Sequence, residues 1–144
     1  MSQTSSRPKG IITIALVNSI AAIVTLIFWL LVQHRLFGSQ KLPDAVDRPS
    51  MATTLGFMIA DIVWALPLLI LSVVGLWYSR FWGWTMAQMV NILWFYALTI
   101  TWVRDVYLGR ISPGSVLFLP FTLFAVWATL YLWKHRSSFG VVSR

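Results

Sequence analysis

Residues 54–102 read TLGFMIADIVWALPLLILSVVGLWYSRFWGWTMAQMVNILWFYALTITW. Two long apolar runs, Thr54 to Tyr78 and Trp82 to Trp102, are separated by a polar break no longer than SR (Ser79, Arg80). A helix needs about 20 apolar residues to cross a bilayer. Each run is long enough, and so short a link forces the two helices to be antiparallel neighbours.

Working outward, Ile11 to Val32 is a further span, framed by RPK before and QHR after. It is too long for a signal-peptide core and no small-x-small cleavage site follows, so it reads as a retained span. On the other side, Pro113 to Trp133 is the fourth, with Pro113 where a first helical turn tolerates proline. The sequence therefore predicts an all-α, up-down-up-down bundle of four transmembrane helices in a single domain covering 1–144. The polar linker GSQKLPDAVDRPS (Gly38 to Ser50) has room for a short interfacial helix over PDAVDR and for no separate domain.

Composition supports this reading. Of the 144 residues 58% are hydrophobic and only 10% charged, with a mean hydropathy of +0.77. A soluble domain carries about 25% charged residues. The absence of cysteine excludes disulfides, thiolate metal sites and CxxC redox chemistry. Two histidines at span ends, His34 and His135, make neither a haem site nor a zinc cluster, so no metal and no cofactor are expected. The net charge of +7 comes from basic residues at the ends of the apolar runs, where they meet lipid headgroups; nucleic-acid binding is not expected.

Four spans put both termini on one side. Arg7, Lys9, Arg80, Lys134, Arg136 and Arg144 lie there, against Arg35, Lys41, Arg48, Arg104 and Arg110 opposite. That six-to-five margin places both termini in the cytoplasm by the positive-inside rule. The implied location is a bacterial inner membrane. Trp77, Trp82, Trp84 and Trp133 would form an aromatic belt on the terminal side, and Trp29 and Trp102 one on the other. The tail KHRSSFGVVSR reads as a basic, mobile end.

Small and polar residues recur at helical spacing in every span: Ala15, Asn18, Ser19, Ala22 and Thr25; Thr54, Asp61, Ala65, Leu68, Ser72 and Gly75; Gln88, Asn91, Phe95 and Thr99; Ser115, Thr122, Ala125 and Thr129. Membrane helices bury such stripes against one another. At 1.5 Å per residue, Asp61 lies roughly 10–12 Å from the side away from the termini. Thr25, Thr99 and Thr122 fall at matching depth, and their three hydroxyls are expected to surround its carboxylate. Asn18, Gln88 and Asn91 form a second polar layer nearer the termini. Arg104 and Arg110 lie toward the same side as Asp61, and Arg104, the closest in the third span, is placed to snorkel inward. An aspartate inside a span costs about 2.5–3.5 kcal/mol on insertion scales, so Asp61 is the main functional candidate, as an ion or proton site. Its structural alternative is a hydrogen-bond acceptor that sets helix registry. Pro67, six residues on, frees the carbonyl of Val63 and favours a kink beside it.

No catalytic set accompanies it. The chain has no Gly-rich phosphate loop, no HExxH, no GxSxG and no second acid beside Asp61. The stretch ADIVWALPLLILSVVGLWYSRFWGW (60–84), followed by a span ending YLWKHR (131–136), resembles a loose group of small bacterial four-span integral membrane proteins. That resemblance implies the fold and carries no activity. Small multidrug exporters share four spans and one membrane carboxylate, but theirs is a first-span glutamate, and the first span here has no acid.

The expected function is that of a non-enzymatic component of a membrane complex, partnered by the lipid bilayer and by copies of itself or other subunits. The alternatives are a proton- or cation-coupled transporter working as a homo-oligomer with Asp61 in its pathway, and a binder of lipid or apolar ligand.

Overall fold

The computed structural model describes residues 8–38 and 48–140. The proposed PDAVDR helix lies almost entirely outside these residues. Five α-helices follow in order: α1 (Lys9–Gly38), α2 (Arg48–Ala60), α3 (Leu66–Trp77), α4 (Phe81–Leu108) and α5 (Pro113–Lys134). A π-helical turn, Asp61–Ala65, joins α2 to α3, and a 3₁₀ turn, Arg136–Phe139, follows α5. There is no strand among the described residues. Lys9–Arg35, Met51–Trp77, Phe81–Leu108 and Pro113–Lys134 are each long and apolar enough to cross a membrane. The protein is a multi-pass membrane protein built as an all-α four-helix bundle. Large side chains such as Leu16, Ile23, Ile92 and Leu130 stand exposed around it, where lipid rather than water is the compatible solvent.

The second span is not one continuous α-helix. Pro67 has no N–H, so the carbonyl of Val63 loses its α-helical donor. The chain widens just before that point, and the Leu66 N–H bonds the Asp61 carbonyl five residues back. Wide turns of this kind are uncommon and bend the helices that contain them. Here the turn divides the span into an inner half, α3, and an outer half, α2.

The hairpin between spans two and three is as tight as the sequence predicts. Arg80 N–H bonds Gly75 O at 2.9 Å and Ser79 N–H bonds Leu76 O at 3.1 Å, closing α3 on a left-handed residue. That residue is Ser79, at φ 51°, where glycine is the usual occupant. The corresponding closure of α4, Arg110 N–H to Asp105 O and Gly109 N–H to Val106 O, uses Gly109 at φ 59°. Beyond the hairpin, Gly75 and Gly83 bring two backbones together. A Cβ added to either would collide with main-chain atoms of the other.

α3 packs between α1 and α4, and α4 packs on α5. α1 meets α5 at the terminal end, where Gly10 N–H donates to the Tyr131 hydroxyl at 3.2 Å. One core cluster there joins Ile11, Ile14, Leu76, Ala87, Ala128 and Leu132. Phe139 completes it, only 3% exposed, because the 3₁₀ turn folds back under the bundle. The first part of the tail is therefore anchored, contrary to the mobile end the charges imply. A second cluster, Ala21, Leu69, Val90, Trp94, Phe118 and Ala125, fills the middle. Beyond it, toward the α4–α5 loop, α2 packs mainly on the π turn that follows it, and the helices are separated by clefts.

Candidate functional site around Asp61

Asp61 is the first residue of the π turn, half-buried at the point where α2 leaves the bundle. Its Oδ2 accepts a hydrogen bond from Trp29 Nε1 at 2.8 Å. No charged side chain acts on it among the described residues. On one side it lines a small internal cavity of about 20 Å³ with Thr25, Leu69, Trp94 and Phe118. On the other it forms part of the floor of a cleft of about 470 Å³ between α2 and α4, walled by Thr53, Gly56, Ala60, Tyr96 and Ile100.

The expected ring of three threonines is corrected in two of its members. Thr99 is exposed on the outside of α4, and its hydroxyl donates to Phe95 O of its own helix at 2.8 Å. Facing lipid costs such a hydroxyl little, because a carbonyl one turn back satisfies its proton. α4 instead turns Val90, Asn91, Trp94 and Thr101 inward, since burying the Trp94 ring removes far more surface than burying Thr99 would. Phe95, placed on the inward stripe by spacing alone, is likewise exposed. Thr122 is buried, yet it donates to Phe118 O at 2.9 Å and also lies 3.0 Å from Trp94 O, so it bridges α5 to α4 rather than serving Asp61. Of the three expected threonines, Thr25 alone shares a cavity with the carboxylate.

Trp29 is the partner that sequence reasoning missed. Its place near a span end suits an interfacial belt, but it is 5% exposed and turned inward. A signal was present: Asn18, Ala22, Thr25 and Trp29 succeed one another at steps of four, three and four along one face of α1. A buried indole needs an acceptor for its N–H, and Asp61 supplies it.

The residues expected to form a second polar layer make two separate bridges. Asn18 Nδ2 donates to Ser72 Oγ at 2.9 Å between α1 and α3, and Ser72 donates onward to Leu69 O at 2.7 Å. Asn91 Nδ2 donates to Thr129 Oγ1 at 3.0 Å between α4 and α5, with Gln88 Nε2 at 3.5 Å from Thr129 O. These amides act between helices, the common use of buried amides in membranes.

Arg104 does not reach inward to Asp61. Its Nη2 lies 3.4 Å from Asp105 Oδ1, while Asp105 Oδ2 accepts from the Ser112 N–H at 2.7 Å and the Ser112 hydroxyl at 3.0 Å. Asp105 thus ties the end of α4 to the start of α5. Arg110 is exposed in the loop between them. Among the described residues no group of three or more His, Cys, Asp or Glu comes together as a metal site. No family model, curated protein or solved structure matches this chain.

Proposed function

We propose that this chain is a non-enzymatic component of a larger membrane complex, and that it joins its partner through the outer half of span two. The observation that carries the reading is the stripe Ala52, Gly56 and Ala60 on α2. These residues recur every fourth position, all three are exposed, and a Cβ on Gly56 would meet nothing within 4 Å among the described residues. Small residues at this spacing let a second helix approach closely in lipid. Gly75 and Gly83 use the same device inside the bundle. Asp61, at the base of the stripe, offers an acceptor to a polar or cationic group on the incoming helix. The setting we favour is a bacterial inner membrane with both termini cytoplasmic, from the distribution of arginine and lysine.

The test is native mass and partner identification after mild detergent extraction, with Gly56→Leu beside the natural chain. A stoichiometric foreign partner that Gly56→Leu loses, while the variant keeps its own thermal stability, supports the reading. A partner retained in full by the variant overturns it.

The second reading, a homo-oligomeric transporter, is favoured by one observation: Asp61 lines both the internal cavity and the lateral cleft. Against it, the terminal half is filled by Ile14, Leu76, Ala87, Ala128 and Leu132, all at 0% exposure, so a route through one copy would have to open a packed core. Asp61→Asn keeps the shape and removes ionisation. If transport is the function, that variant folds and loses proton-dependent flux in proteoliposomes; retained flux excludes a titrating role.

A further inference from the structure

A second cavity, of about 330 Å³, opens between α1, α2, α4 and the start of α5, on the side away from the termini. Two arginines from different helices line it: Arg35 in the last turn of α1 and Arg104 near the end of α4. No acid is among the described residues that line it. Thr54 and Ser112 add hydroxyls, while Phe28, Phe57 and Phe118 make much of the wall apolar.

Arg104 carries unused donor capacity here. A guanidinium has five N–H donors. Its carboxylate contact at 3.4 Å is long for a charge-assisted hydrogen bond, and Asp105 is held more closely by Ser112. The Arg104 Nε is buried with no acceptor among the described residues, so any contact into the cavity comes from its Nη nitrogens. Two cations above an aromatic wall, at the depth of the membrane edge, match an amphiphile with an anionic head and an apolar body.

We propose that this cavity binds one anionic phospholipid, with its phosphodiester between Arg35 and Arg104 and its chains against Phe28, Phe57 and Phe118. The site lies apart from the α2 stripe and does not depend on the assembly reading. Phosphodiester oxygens accept from a guanidinium in the planar, paired geometry that lysine cannot offer.

The experiment uses the full chain in a neutral detergent, with phosphatidylglycerol or phosphatidylcholine added in equal amounts and retention read by native mass spectrometry. The natural chain should keep one phosphatidylglycerol at least about tenfold more strongly than phosphatidylcholine, which has the same phosphodiester but adds a quaternary ammonium that two arginines repel. Arg35→Gln and Arg104→Gln should each remove about that factor. Arg110→Gln, which changes the same side of the protein outside this cavity, should remove none. Arg35 is exposed in the last turn of α1, and thermal stability measured beside retention separates loss of lipid from loss of fold. Equal retention of both lipids overturns the proposal, as does equal loss in Arg110→Gln and Arg104→Gln. Inorganic phosphate at millimolar concentration is the remaining arm. If it raises thermal stability as far as phosphatidylglycerol does, the site takes a soluble anion and the lipid assignment fails.

Discussion

The end of the bundle that carries the termini and the end that carries the α4–α5 loop are made from the same kinds of residue, yet they are packed differently. At the terminal end, glycines lie inside: Gly75 against Gly83, and Gly10 against the Tyr131 ring. Helices touch there, and aliphatic side chains fill what remains. At the other end Gly56 faces open space, α2 swings away after the π turn, and two cavities separate the helices. The same residue type closes one end and leaves the other unfilled. The difference lies in whether a neighbouring helix is there to meet it; the partner and lipid proposed above would take that place at the open end.

Substitutions at matched positions can break or sharpen this contrast. The largest effect should come from Gly75→Ala. With the Gly83 backbone in the way, the hairpin must spread, costing about 3 kcal/mol in thermal or denaturant unfolding in detergent. A cost under about 1 kcal/mol would mean the two backbones are not in contact in the membrane. Trp29→Phe keeps an aromatic though smaller ring and removes the donor to Asp61, and should cost about 2 kcal/mol. If Asp61→Asn restores none of that loss and alone changes nothing, the indole–carboxylate bond is not a determinant of the fold.

Ser79→Gly should stabilise the chain by about 1 kcal/mol, because the left-handed conformation at φ 51° strains a residue with a side chain. Gly109→Ser, the reverse change at the α4 end, should destabilise by a similar amount, and a mismatch between them would show that one of the two turns rearranges. A double-mutant cycle of Asn18→Leu and Ser72→Ala should give a coupling of about 0.6 kcal/mol, typical of hydrogen bonds between membrane helices. Smallest of all, Gly56→Leu should leave monomer stability nearly unchanged, since a Cβ there meets nothing within 4 Å among the described residues. A loss like that of Gly75→Ala would place α2 against the bundle and remove the contrast.

Much of the architecture was legible beforehand because lipid imposes one strict demand: every backbone polar group must be satisfied within its own helix. That demand makes span length readable from composition alone, and the SR link makes the hairpin readable from its brevity. Which face of a helix turns inward was less legible. On α4 the polar pattern pointed through Phe95 and Thr99, and the structure instead buries Trp94 and Thr101. Threonine misleads in this way because its hydroxyl can return to its own helix, so its polarity does not require a partner elsewhere. Tryptophan misleads in the opposite sense: its preference for interfaces concealed that Trp29 points into the bundle.

The sequence by itself determined four spans, their antiparallel order, the absence of cysteine chemistry and the singular position of Asp61, because each follows from run length, composition or spacing. Only the tertiary structure decided that Asp61 is held by an indole rather than by hydroxyls, that span two divides at a π turn, and that Phe139 returns to seal the terminal end. These depend on where large side chains find space among neighbouring helices. Such packing involves residues far apart in the chain, and no local pattern encodes it.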